Sequence, residues 1–166
     1  MDNISSFTKS LSIRSISPTE KTEWGVLLGF IKESDNEFTP PLFARPEFVY
    51  QLKHGLNNRG LMAIEADTKP VAATLYETDY CGDKEKVYLT FFRVIPELRR
   101  SGIGFWFRQK LLDHLKTEGF KSVVTRTWST NYPMMRLNEK TNFQRSKAIV
   151  DDRGPGIDTV YFQLDF

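Results

Sequence analysis

Arg93-Val94-Ile95-Pro96-Glu97-Leu98-Arg99-Arg100-Ser101-Gly102-Ile103-Gly104 is the stretch on which the reading of this chain turns. A strand-like run, Lys86-Val87-Tyr88-Leu89-Thr90-Phe91-Phe92, comes before it. Behind it Ile103, Phe107, Leu111 and Leu115 recur at helical spacing and predict a helix with one face on a sheet. Glycines in a strand-to-helix turn let backbone approach a ligand and remove side chains that would block it. The first amides of the helix have no carbonyl partner, and the helix dipole adds roughly half a positive charge there. Arg99, Gly102 and Gly104 therefore predict an anionic, phosphate-bearing ligand; the plainer alternative is an ordinary turn.

Outward from this turn the pattern is mixed α/β. Ser12-Ile13-Arg14-Ser15-Ile16-Ser17 alternates as a first strand, and Ser17-Pro18-Thr19-Glu20 opens a helix carrying Trp24, Leu27, Leu28 and Ile31. A polar and aromatic loop over 33–44 leads to a second helix over 46–56, which Asn57-Asn58-Arg59-Gly60 ends. Residues 61–66 and 71–80 read as a hairpin, and Cys81-Gly82-Asp83-Lys84 turns into the strand at 87–94. Gly119 stops the central helix, and Lys121 to Trp128 is the next strand. A short helix over 132–140 and closing strands near 144–150 and 159–164 complete the order, with a turn at 151–156 between the strands. Hairpins early and a strand-helix-strand unit in the centre fit one mixed domain over 1–166.

Composition narrows the function. Forty per cent of the residues are hydrophobic and 27% charged, as in ordinary soluble domains. With 23 Lys and Arg against 21 Asp and Glu, a net charge of +2 gives little support for nucleic acid or an anionic membrane as partner. A single cysteine, Cys81, excludes an internal disulfide and fits a reducing, cytoplasmic setting. No apolar stretch nears the ~20 residues of a membrane span. Met1-Asp2-Asn3-Ile4-Ser5-Ser6 lacks the regions of a signal peptide.

Two motifs in this order resemble those of the GNAT acetyltransferase superfamily. Arg99-Arg100-Ser101-Gly102-Ile103-Gly104 is similar to its [Gln/Arg]-x-x-Gly-x-[Gly/Ala] loop, and Val94-Ile95-Pro96-Glu97 looks like its strand-end bulge. Asn131-Tyr132-Pro133-Met134-Met135-Arg136-Leu137-Asn138-Glu139-Lys140-Thr141-Asn142-Phe143 resembles its closing Asn-x-x-Ala-x-x-Leu-Tyr-x-x-Leu-Gly-Phe helix. The resemblance implies a mostly antiparallel sheet whose central parallel pair splays to admit acetyl-CoA or another acyl-CoA, with no metal. It implies that the amides of Arg99, Arg100, Ser101, Gly102, Ile103 and Gly104 cradle the pyrophosphate. Val94 would offer its backbone N–H to the thioester carbonyl, and Asn131 would hold the pantetheine arm or the substrate. The acceptor would be an amine on a small molecule or peptide, and the protein a monomer or homodimer.

Asn138 stands in the cofactor site where the family often has a tyrosine acid, and an amide cannot donate a proton at neutral pH. Tyr132 or water could serve instead, and a thiolate of pKa about 8.5 leaves fairly readily unprotonated. Thr141-Asn142 replaces Leu-Gly, and asparagine tolerates the left-handed conformation. Glu77, or Thr90 through water, is a candidate base, with His54 a weaker one. Glu33, Asp35 and Glu37 could draw in a cationic amine or merely solvate a loop. Phe105 and Trp106 could line a channel or pack in the core, and His114 reads as solvated. The leading expectation is an N-acyltransferase working by direct amine attack. The rival is a CoA- or partner-binding module without turnover; a nucleic-acid domain using Arg93, Arg99 and Arg100 is third.

Overall fold

In the computed structural model, residues 7–8, 10–38, 41–54, 58–65 and 69–166 are described. The strands are β1 (Leu11–Ile16), β2 (Asn58–Glu65), β3 (Lys69–Glu77), β4 (Lys86–Val94), β5 (Ser122–Trp128), β6 (Gln144–Ile149) and β7 (Thr159–Asp165). The helices are α1 (Lys21–Glu33), α2 (Pro46–His54), α3 (Ile103–Thr117) and α4 (Tyr132–Lys140). All seven strands form one sheet in the order β1-β2-β3-β4-β5-β7-β6. Every neighbouring pair is antiparallel except β4 and β5, which run parallel through four residue pairs, Lys86↔Ser122 to Leu89↔Thr125.

Both faces of the sheet are covered, because successive side chains of a strand point to opposite sides. Leu61 and Ala63 of β2 face Phe107, Leu111 and Leu115 of α3, with Met135 of α4 in the same cluster. Their neighbours Met62 and Ile64 face Trp24, Leu27, Phe30 and Ile31 of α1, with Phe48 of α2. The stripes read from the sequence are thus the buried ones.

Three local expectations need correction. Asn58-Arg59-Gly60 belongs to β2, paired with Glu77, Tyr76 and Leu75, and α2 ends at His54. The ladder overrides the turn-like composition because Gly60 lies against Leu27, where a Cβ would collide with Leu27 Cδ2. The first helix begins at Lys21, and Glu20 Oε2 instead accepts the Ser17 N–H at 2.7 Å. The bulge of β4 sits at Thr90, between the pairs Tyr76↔Leu89 and Leu75↔Phe91, rather than at residues 94–97. Residues 96–98 form a 3-10 turn beyond the strand.

Candidate active site

The parallel ladder stops at Leu89↔Thr125, and the Thr90 bulge follows at once. A bulge adds twist and ends pairing, so β4 leaves β5 from this point while β5 stays paired with β7 through Trp128. Thr90 Oγ1 donates to Leu75 C=O at 3.0 Å, which holds the bulge against β3. Farther along, the Ile95 N–H donates to Val71 C=O at 3.0 Å. That bond makes Val94↔Ala72 a non-hydrogen-bonded pair, whose own N–H and C=O point away from β3. The Val94 C=O accepts from Arg99 Nε at 3.0 Å, leaving its N–H directed toward the opened gap.

The glycine turn lies at the end of this gap. The Arg99 N–H is engaged by Pro96 C=O, whereas the amides of Arg100, Ser101, Gly102 and Gly104 meet no partner among the described residues. Gly102 precedes α3 at φ 95° and Arg100 has φ 59°, a left-handed state that costs a non-glycine residue ~1–2 kcal/mol. Ser101 Oγ donates to Leu98 C=O at 2.6 Å and fixes the turn from inside. The side chain of Arg99 is tied to Glu37, which also accepts from Arg93 Nη2 at 3.0 Å. Arg93 is buried over the Phe30 ring, its guanidinium carbon 4.5 Å from the centre. Glu37 thus pins the 35–38 loop to the glycine turn.

Between the separated strands is a cavity of about 290 Å³, bounded by Phe38, Phe48, Phe92, Trp128, Asn131 and Arg108 among others. Asn131 caps α4: its Oδ1 accepts the Met134 N–H at 3.4 Å and its Nδ2 donates to Thr127 Oγ1 at 3.0 Å. Arg108, on α3, is wholly buried and stacks over Phe92 at 4.5 Å and Phe143 at 5.5 Å. Its Nη2 reaches only Met134 Sδ, and its Nε and Nη1 have no partner. Burial pulls its pKa down to about 9, so it still carries a charge at neutral pH. Asn138, one turn after Met134 on α4, is equally buried with both amide atoms unpartnered. Buried polar groups are nearly always bonded, so the two orphaned Arg108 donors on the cavity wall mark a place for a polar ligand, while Asn138 is not among the residues that line the cavity.

The sequence of residues 28–143 matches the model of the acetyltransferase (GNAT) family. The chain belongs to the GNAT family. Solved structures share the fold at low identity. A GNAT-family protein from Desulfovibrio desulfuricans is 18% identical with a TM-score of 0.73, covering 93% of this chain and 98% of its own. The ribosomal-protein-S18-alanine N-acetyltransferase of Escherichia coli is 17% identical with a TM-score of 0.71, covering 93% of both chains. A Bacillus anthracis protein solved in complex with acetyl coenzyme A is 14% identical with a TM-score of 0.57, covering 66% of this chain and 64% of its own. No curated protein matches the chain by sequence.

Thr90 borders the cavity, but Glu77 ends β3 opposite Tyr88 and is not among the lining residues. Tyr132 is exposed and borders a neighbouring groove with Arg136 and Glu139. Asp35 Oδ1 accepts the Phe43 N–H at 3.0 Å, so neither it nor Glu37 is a free anion for an amine. His114 is half-buried and bonds the Tyr76 hydroxyl at 3.2 Å instead of being solvated. Trp106 packs against the core while Phe105 is exposed. The side chain of His54 lies outside the described residues. Cavity residues that sequence reasoning missed are Arg45, Glu47, Arg108, Arg126 and Arg153. For Arg108 a signal existed: it follows Phe107 and precedes Leu111 by three, so it flanks the buried stripe of α3.

Proposed function

We propose that this protein is an N-acyltransferase that takes an acetyl or other short acyl group from acyl-CoA and places it on an amine. The observation that carries this reading is the coincidence of three features: the β4–β5 ladder opens, the Val94 N–H faces the opening, and unpartnered turn amides lie at its end. The residues present fit acyl-CoA, since the orphaned Arg108 donors on the cavity wall face the space where an amide-bearing arm would pass.

Acyl-CoA, when bound, supplies the acyl group as a thioester. The amides of Arg100, Ser101, Gly102 and Gly104 bind phosphate oxygens, aided by the α3 dipole. The Val94 N–H bonds the thioester carbonyl oxygen as charge builds on it, and one such donor contributes about 3 kcal/mol. Asn131 fixes the start of α4 and so the position of Asn138 below it. An amine of pKa near 10 arrives charged and must lose a proton. Glu47, the carboxylate among the cavity residues, takes that proton and passes it to solvent. The new N–C bond then forms as the C–S bond breaks, the sulfur leaves as thiolate, and the attacking nitrogen gives up its second proton to water to become the neutral amide. Arg108, cationic and dry, stabilises that negative charge in place of the tyrosine acid that Asn138 has replaced.

Asn138 also favours a second reading, a CoA-binding module without turnover; any amine acetylation well above the uncatalysed rate eliminates it. The test of the main reading is calorimetric titration with acetyl-CoA, repeated with Gly104→Asp. Gly104 has an ordinary φ and room for a Cβ, and an acid in the first helical turn is itself favourable. The wild type should bind saturably, and the variant should bind at least 100-fold more weakly at an unchanged or raised Tm. Absence of wild-type binding refutes the assignment.

A further inference from the structure

The cavity walls are unbalanced in charge. Arg45, Arg108, Arg126 and Arg153 face the single carboxylate of Glu47 among the lining residues. Three of these cations, Arg45 before α2, Arg126 on β5 and Arg153 in the β6–β7 turn, sit near enough to repel. Burial, followed by the charges of Arg153 and Arg126, lowers the pKa of Arg45, with Asp35 and Glu47 acting in the opposite sense.

Arg153 is held in a fixed attitude. Its Nε donates to Thr159 Oγ1 at 3.0 Å, and that hydroxyl donates onward to Asp152 Oδ2 at 2.6 Å. Its guanidinium carbon lies 5.5 Å from the centre of the Trp128 ring. The two Nη atoms then form a fork with no partner among the described residues. Arg126 is placed in the same manner, with Nη1 donating to the Tyr161 hydroxyl at 3.2 Å and the ring 6.0 Å away. Neither Arg126 nor Arg153 takes part in the ion pairs given by Lys86, Arg93, Arg99 and Arg145 among the described residues. Like charges gathered around an aromatic-walled cavity repel one another unless a ligand brings the counter-charge, and a rigid guanidinium fork matches a carboxylate in two parallel bonds.

We propose that the acceptor is an amine that also carries a carboxylate: an amino acid with an aromatic or apolar side chain. Its carboxylate is bound by the Arg153 fork beside Arg126, its amine is directed to Glu47, and its side chain lies against Phe38, Phe48 and Trp128. This rests on the acyltransferase reading but is tested apart from it.

The protein, free and saturated with CoA, is titrated calorimetrically with L-phenylalanine, L-tyrosine and L-tryptophan, and with phenethylamine, tyramine and tryptamine, which lack only the carboxylate. At least one amino acid should bind tenfold or more tighter than its matching amine. Arg153→Gln should erase that preference while acetyl-CoA affinity stays constant, and Arg153→Lys should restore part of it through charge without the fork. Arg126→Gln gives a second variant should Arg153→Gln fail to fold. No amino acid preferred over its amine, or a preference that survives both glutamine variants, overturns the proposal. So does succinyl-CoA binding tenfold tighter than acetyl-CoA in an Arg153-dependent manner, because the carboxylate would then belong to the acyl chain. Amino-acid binding without any acetyl-CoA binding would leave this site standing and remove the acyltransferase reading instead.

Discussion

Replacing Arg108 by methionine separates what this residue does for the site from what it does for the fold. Its guanidinium is wholly buried, with no carboxylate and two nitrogens unpartnered. Burial draws its pKa from the usual arginine range to about 9, which at about 1.4 kcal/mol per pH unit makes the buried cation cost on the order of 5 kcal/mol. Stacking on Phe92 and Phe143 offsets about 1–2 kcal/mol for each ring. The net penalty is of the order of 1–3 kcal/mol, and methionine fills similar space without it. Arg108→Met should therefore raise Tm by roughly 3–10 °C while lowering kcat for acetyl transfer by about 100-fold. The pH dependence has a definite sign. Between pH 9 and the normal arginine range the unfolded chain holds a proton that the folded chain has lost, so wild-type stability gains on the variant as pH rises. The Tm advantage of the variant should be full at pH 7–8 and shrink above about pH 9. Tyr76 and Tyr88 are common to both proteins and cancel. Paired thermal scans at pH 7.5 and 10 measure this. A variant less stable than wild type, or an advantage independent of pH, refutes the reasoning.

Glu37→Gln removes the charge that binds both Arg93 and Arg99. It should lower stability by about 1–3 kcal/mol in urea unfolding and weaken acetyl-CoA binding several-fold as the turn loosens. Gly60→Ala drives a Cβ into Leu27 and should cost about 1–3 kcal/mol by the same assay, even though alanine favours neither turn nor bulge. Burial raises Tyr76 and Tyr88 to about 12. Spectrophotometric titration should show them ionising well above the ordinary tyrosine value of about 10, and stability should fall as pH rises from about 10 toward 12, because only the unfolded chain releases these protons.

The fold was legible wherever periodicity and turn chemistry agreed. Phe107, Leu111 and Leu115 announced the face of α3, and Gly102 and Gly104 announced the turn before it. Legibility failed where a residue's role depends on a distant strand. Asn58-Arg59-Gly60 has turn composition but extends β2 because β3 is there to pair with it. The Thr90 bulge leaves no mark in a run of β-formers, since it is a mismatch of register between two strands. The site divides similarly. The cradle and Val94 could be read from a contiguous motif, since the residues that form the turn follow one another in the chain. The arginines of the cavity come from the approach to α2, from α3, from β5 and from the β6–β7 turn. Scattered through the sequence, Arg45, Arg108, Arg126 and Arg153 look like four ordinary surface charges. Glu37 looked like part of a solvated acidic loop, and only the tertiary approach of Arg93 and Arg99 gives it a structural task.

The short parallel ladder has a consequence for how the chain assembles. Strands β1 to β4 make one antiparallel group, and β5, β7 and β6 make another, each joined through pairings of its own. Four residue pairs of hydrogen-bonded strand unite the two groups, and forming them requires closing the chain across α3. Loop closure of that kind is entropically slower than hairpin formation, so the seam should be the last part of the sheet to form and the first to open. The gap between β4 and β5 is the unzipped continuation of that seam. A molecule lodged in it touches both groups at once and acts as a clasp, so that amides of Tyr88, Leu89 and Val124 should exchange with solvent more slowly in proportion to its occupancy.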